Sequence, residues 1–197
     1  MKPSRESTLK RDTNETRIEL RLELDGTGRS TVSTGLGFLD HMLTSLAKHA
    51  RFDLELTCQG DLEVDDHHTV EDVALSLGAA LDRALEDRRG IERFGSAMVP
   101  LDEALARVAI DLSGRAFSHV DLRLVRESIG AVATENITHF FRSFAQAARL
   151  TLHVDVLSGE NDHHKIEAAF KAMARSLRAA VRLDGSLEIP STKGVLV

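Results

Sequence analysis

Histidines set beside carboxylates are the residues of this chain best suited to chemistry, and their order repeats. Asp66-His67-His68-Thr69-Val70-Glu71-Asp72 recurs near the other end as Asp162-His163-His164-Lys165-Ile166-Glu167-Ala168. An apolar series follows each copy: Val70, Val73, Ala74, Leu77, Leu81 and Leu85 after the first, and Ile166, Ala169, Phe170, Met173, Leu177 and Val181 after the second. That is helical spacing, so each motif opens a helix. Residues four apart share a helix face, whereas adjacent residues diverge by roughly 100°. His67 and Glu71 can therefore grip one metal ion, and so can His163 and Glu167. His68 and His164 point elsewhere and need a different ion, so the pattern asks for two metals.

The elements that must position these motifs repeat as well. Arg17 to Leu24 alternates strictly and closes at Asp25-Gly26, which predicts a half-buried strand, with Arg29 to Ser33 as its hairpin partner. Gly35 to Met42 leads into a helix whose apolar positions are Leu39, Met42, Leu43, Leu46 and Ala47, with His41 off that stripe. Phe52 to Thr57 alternates as a strand, with room for one more short strand at Leu62 to Val64. In the second half, Ala106 to Leu112 is a strand closed by Ser113-Gly114, and Ala116 to Leu122 is its expected hairpin partner. His139 lies 98 residues after His41, and His163 lies 96 after His67. Leu39, Met42, Leu43 and Leu46 thereby map onto Ile137, Phe140, Phe141 and Phe144. The halves span 15–90 and 91–185, followed by a tail, 186–197, within one domain covering 1–197. Residues 1–14 are polar, lack periodicity and read as a mobile arm. Duplicated α+β units, with helices covering one face of each sheet, satisfy this order.

The offsets add His41 and His139 to the candidate ligands. His41, His67, His68 and Glu71 come from the first half, and His139, His163, His164 and Glu167 from the second. Pseudo-twofold packing divides them into His67, Glu71, His139 and His164, mirrored by His163, Glu167, His41 and His68. Three imidazoles and a carboxylate suit a borderline divalent ion; a closed tetrahedral shell would be structural zinc, whereas an octahedral ion such as manganese keeps positions open for substrate. Asp66, Asp72 and Asp162 read as helix caps or as supports for the ligands.

Composition narrows the classes. The chain has 197 residues with 25 basic against 31 acidic, a net charge of -6 without long blocks of either sign, so bulk charge does not point to nucleic acid. Its single cysteine, Cys58, cannot form an internal disulfide, and the charged, polar start carries no apolar leader, which gives the expectation of a cytoplasmic protein. No apolar run approaches the roughly 20 residues that span a bilayer. Gly26-Thr27-Gly28 and Gly35-Leu36-Gly37 lack the third glycine of a dinucleotide loop and read as turns.

Three stretches resemble the signatures of imidazoleglycerol-phosphate dehydratase, an enzyme family of histidine biosynthesis: Gly37-Phe38-Leu39-Asp40-His41-Met42-Leu43, Val64 to Asp72, and Asn161 to Lys171. The resemblance runs from about Glu15 to Leu196. It implies a duplicated α+β fold, each half a four-stranded sheet with helices on one face (ribosomal protein S5 domain 2-like). It also implies two Mn2+ per active site and a homo-oligomer of about 24 subunits built from trimers. The eight ligands above match those of the family in the same cross-half division. Glu15, Arg93, Arg115, Lys171, Ser191 and Lys193 fall where the family contacts substrate, the cations and the hydroxyl at its phosphate end. Arg93 and the tail Pro190-Ser191-Thr192-Lys193-Gly194 have chemistry suited to phosphate on their own account. The implied reaction removes water from imidazole glycerol phosphate to give imidazole acetol phosphate through a metal-bound imidazolate. Its catalytic candidates are Glu15, for proton transfer, and the carboxylates Glu71 and Glu167. One departure is Ala116, where the family often has proline. Asp-His-His also names a dimetal phosphoesterase family, but that family's further aspartates and its glycine-rich histidine motif are not in this sequence.

Overall fold

A computed structural model describes residues 5–196. The first half runs β1 (Glu6–Asp12), β2 (Thr16–Glu23), β3 (Ser30–Ser33), α1 (Gly37–Ala50), β4 (Asp53–Gly60) and α2 (His67–Leu85). The second runs β5 (Phe94–Leu101), β6 (Ala104–Asp111), β7 (Phe117–Asp121), the short hairpin β8 (Ser128–Ile129) and β9 (Val132–Ala133), α3 (Thr134–Ala147), β10 (Thr151–Ser158) and α4 (Asp162–Ala180). The strands form two four-stranded sheets, ordered β1-β2-β4-β3 and β5-β6-β10-β7. The fold is therefore α+β with duplicated halves.

Three expectations about strands are corrected. The stretch expected to be a mobile arm contains β1, which pairs antiparallel with β2 from Glu6↔Glu23 to Asp12↔Arg17. Only Ser7 and Leu9 of β1 turn inward, too few for an alternation to be visible in the sequence. With β1 beside β2, β3 is not a hairpin partner of β2. It runs parallel to β4, from Ser30↔Leu54 to Ser33↔Thr57, and α1 makes the crossover that a parallel connection needs. The second half does the same, since β5 takes the hairpin place beside β6 and β7 lies parallel to β10. Leu62 to Val64 is a turn rather than a strand, closed by the Val64 amide donating to the Asp61 carbonyl at 2.8 Å.

Both predicted apolar helix stripes face inward: Val70 through Leu85 on α2 and Ile166 through Val181 on the α4 face are all buried. Each helix finds its main helical partner in the other half, α1 against α4 and α2 against α3. In addition α2 packs on β1, β2 and β4, while α4 packs on β5, β6 and β10. The core thus lies between two sheets, with paired helices as its inner layers, and its aromatic centre is Phe140, Phe141, Phe144 and Phe170. Gly78 lets α2 approach α3: a Cβ there would stand 2.6 Å from the Phe144 carbonyl oxygen and 2.9 Å from the Ala148 nitrogen.

Candidate metal centres

Pairing helices across the halves brings together ligands that lie far apart in sequence. His67 and Glu71, one turn apart at the start of α2, meet His139 of α3, and His163 and Glu167 at the start of α4 meet His41 of α1. Within each group one ligand atom per residue lies within 4.8 Å of every other. His139 Nε2 is 2.9 Å from Glu71 Oε1, His163 Nε2 3.3 Å from Glu167 Oε2, and His41 Nε2 3.5 Å from the same oxygen. Ligands held about 2.1 Å from one ion stand roughly 3.0–3.5 Å apart, so both triads fit a divalent cation. His67 Nε2 is farther out, 3.9 Å from Glu71 Oε2.

His68 and His164 belong to neither triad. The ring of His68 stands nearly perpendicular to that of His67, and its Nδ1 lies 3.0 Å from the Asp61 carboxylate. His164 has the same relation to His163, with its Nδ1 2.8 Å from Glu103. The hydrogen bond that His68 donates to Asp61 raises its pKa against a smaller opposing effect of burial, and the one that His164 donates to Glu103 does the same. In turn, His164 and then the Asn161 amide hold the Glu103 carboxyl down to about 2. The other nitrogen, Nε2, lies 3.7 Å from Glu15 in His68 and 3.8 Å from Asp102 in His164. The four-ligand sets drawn across the halves do not close through described contacts within one chain.

Supporting side chains fix the helix starts. Asp66 and Asp162 are not the side-chain caps expected of them, because Asp65 and Asn161, one residue earlier, accept the amides of His67 and His163. Asp66 instead accepts the Ala133 amide at 2.9 Å, and Asp162, fully buried, accepts the Val125 and Arg126 amides and an ion pair from Lys165. Both tie a helix that carries a candidate triad to the segment leading into α3. Asp72 accepts the Thr16 hydroxyl and pairs with Arg11 at 2.8 Å, which holds the β1–β2 hairpin on α2. At its tip, Glu15 Oε1 comes 3.7 Å from His68 Nε2. On the first helix, Asp40 accepts the amide of Thr34 at 2.9 Å and fixes the entry to α1.

The residues assigned to substrate are spread more widely. Lys171 Nζ is 2.9 Å from Glu167 Oε1. Burial alone would raise the Glu167 carboxyl, but the Lys171 ammonium and then His41 outweigh it and hold it below the ordinary value. The Arg93 guanidinium is held by Asp111 at 2.7 and 3.0 Å and donates to the Pro190 carbonyl at 2.8 Å, which anchors the tail to β6. Ser191 accepts the Lys193 amide in a tight turn, and Arg115 follows the β6 end in an exposed loop. No hydrogen bond or ion pair among the described residues joins Arg93, Arg115, Ser191 or Lys193 to either triad.

Sequence reasoning missed Asn136, Asp61 and Glu103, all of which hold a histidine. One of them had a signal. The hairpins align at an offset of 88, since Glu23↔Asp53 in one sheet matches Asp111↔Thr151 in the other, and this places Glu103 at the position of Glu15.

Comparisons with known proteins point to one family. A family model described as imidazoleglycerol-phosphate dehydratase matches residues 34–177. A protein of that name from Phytophthora nicotianae is 64% identical over 192 residues, covering 98% of this chain but 42% of its own length, so the chain spans less than half of that relative. One from Chlorobium luteolum is 54% identical over 192 residues, covering 98% of this chain and 96% of its own. The crystal structure of imidazoleglycerol-phosphate dehydratase from Staphylococcus aureus matches with a TM-score of 0.82 at 36% identity, over 90% of this chain and 99% of that one. The Pyrococcus furiosus structure matches with the same score at 35% identity, over 95% and 100%. Likeness of this extent, with both histidine motifs inside the residues that the family model matches, means that the chain belongs to the imidazoleglycerol-phosphate dehydratase family.

Proposed function

We propose that the chain is an imidazoleglycerol-phosphate dehydratase, a hydro-lyase of histidine biosynthesis that converts D-erythro-imidazole glycerol phosphate into imidazole acetol phosphate with two Mn2+. The observation that carries this reading is the pair of cross-half triads, His67–Glu71–His139 and His41–His163–Glu167. When bound, the two ions supply a hold on the ring nitrogens and stabilise the deprotonated imidazole. The chain's own residues position and move protons. Lys171, Arg93, Arg115, Ser191 and Lys193 take the phosphate, which fixes the glycerol carbons against the metal side. Hydroxide leaves the carbon next to the ring, takes up the proton that the ring nitrogen has lost and departs as water. The following carbon then gives up its proton to leave an enol. The enol becomes the ketone by taking that proton back at the carbon next to the ring and returning its hydroxyl proton to the ring nitrogen. Glu15 takes the proton from the following carbon: it is exposed at a hairpin tip, 3.7 Å from His68, and is itself no member of a triad.

His68 and His164 are the fourth ligands, and another copy of the chain supplies them to each triad. Their partners outside the triads support this, and so do the exposed apolar side chains Phe94 and Met98 at one edge of the second sheet and Phe117 at the other. The assembly is a homo-oligomer of about 24 subunits built from trimers. Neither nucleic acid nor membrane is a partner, and the compartment is the cytoplasm. No helix among the described residues is long and apolar enough to cross a membrane.

The test is direct. Manganese-loaded protein incubated with imidazole glycerol phosphate should yield the acetol phosphate with phosphate still esterified. Release of inorganic phosphate without an acetol product would sink the reading.

A further inference from the structure

The two triads occupy repeat-related positions, yet their surroundings differ, and two of the differences bear on how readily each would take a cation. In α3, Asn136 stands three residues before His139, and its Oδ1 accepts the Nδ1–H of His67 at 3.0 Å. The related position of α1, three residues before His41, is Phe38. It meets the His163 ring edge-on, with centroids 5.1 Å apart and planes 62° to each other. No hydrogen bond reaches Nδ1 of His163 among the described residues. The second difference lies on the ligand-bearing helices, where Lys171 of α4 sets its ammonium 2.9 Å from Glu167. At the offset of 96 its counterpart on α2 is Leu75, which brings no charge to Glu71.

Both differences act in one direction. An amide oxygen only accepts, so Asn136 keeps the proton of neutral His67 on Nδ1 and leaves the lone pair on Nε2, the nitrogen that faces Glu71. A phenyl edge fixes the plane of His163 but not its tautomer. Lys171 places a unit positive charge against the very carboxylate that has to receive a cation, and like charges at such distances repel strongly in a partly desolvated site. We propose that the two metal sites are unequal: a divalent ion loads first at His67–Glu71–His139, and Asn136 and Lys171 set the difference. Asn136 is a positioning residue for His67, and Lys171 holds the second site weak until its ammonium is drawn elsewhere. This rests on the reading of both triads as metal sites.

Metal-free full-length protein titrated with Mn2+ tests it, with free ion followed by electron paramagnetic resonance and heat by calorimetry. Two steps are expected, separated by about tenfold or more in affinity. Asn136→Leu should weaken the first step by about 10–100-fold and leave the second where it was. Asn136→Asp, which keeps an acceptor in place, should restore it. Lys171→Leu should strengthen the second step and bring the two together. Thermal unfolding of the metal-free variants separates these effects from loss of folding. Two equal steps in the unaltered chain, weakening of the second step by Asn136→Leu, or an Asp variant no better than Leu would overturn the proposal. Failure to bind any ion would overturn the metal reading of the triads themselves.

Discussion

Asp53, only 6% exposed, holds the loop between β2 and β3 with one carboxylate. It accepts the amides of Thr27, Gly28 and Arg29 at 2.7 to 2.9 Å and the Arg29 guanidinium at 2.8 and 3.0 Å. Burial alone would raise its pKa, but the Arg29 amide and guanidinium and the Thr27 amide outweigh it and hold the carboxyl well below the usual range. A carboxyl depressed in the folded state takes up its proton more readily when unfolded. Its stabilisation is therefore complete above the unfolded value of about 3.9 and is lost as the pH falls below that, toward the folded value. Asp53→Asn should cost about 1–3 kcal/mol at neutral pH, and the gap to the unaltered protein should narrow by pH 3. Denaturant titrations from pH 7 down to pH 3 measure it, and a gap that does not change with pH counts against the account. Side chains of this kind are hard to read in a sequence. Nothing around Asp53 resembles a motif, just as nothing around Asn136 announces the histidine it holds, because each partner lies on a different element.

Among the elements, helices were more legible than strands, for a physical reason. Each helix stripe runs through a dozen or more residues, so the apolar period of α2 and α4 stands out against chance, and the histidines fall at its start. The hairpin strands β1 and β5 show weak alternation at the sheet edges, where one face meets solvent and few residues need be apolar. Parallel pairing of β3 and β7 left no local sign at all, since it depends on the crossover rather than on residue types. Some substitutions between the halves become intelligible only as pairs. Thr16 bonds Asp72 in the first half, and the matching positions of the second, Ala104 and Ala168, are both apolar and buried. Losing both partners together leaves no buried polar group unsatisfied. Close contact of α2 with α3 yields an element-level prediction. Gly78→Val should destabilise the protein by about 2 kcal/mol or more, because the added side chain strikes the Phe144 carbonyl and the helices must part. Gly37→Ala, with nothing within 4 Å of its added Cβ, serves as the control and should leave the melting temperature unchanged or higher. Equal effects of the two substitutions would show that the close approach is not what Gly78 is for.

At the scale of the whole molecule, each triad draws its residues from both halves, so a bound ion would add a further link between helices already joined by packing and a few hydrogen bonds. Mn2+ should accordingly stabilise the fold by about 2.7 kcal/mol at a free concentration one hundred times the dissociation constant. The melting temperature should rise with added metal and fall again with a chelator, and His139→Ala should remove part of that response without abolishing it. Insensitivity of melting to both metal and chelator would contradict the link. The duplication was visible in the offsets of 98 and 96, but the exchange of helix partners between the halves was not, because periodicity names a buried face without naming what covers it. That exchange has a bearing on ancestry. Two copies of a single half, related by a twofold axis, would set the first helix of each against the second helix of the other in the same way and build two identical triads. The position now held by Phe38 in one half and Asn136 in the other would then carry one residue type in both copies. A fused gene writes those two positions separately, so joining the halves in one polypeptide lets two sites of common descent carry different neighbours, Phe38 at one and Asn136 at the other.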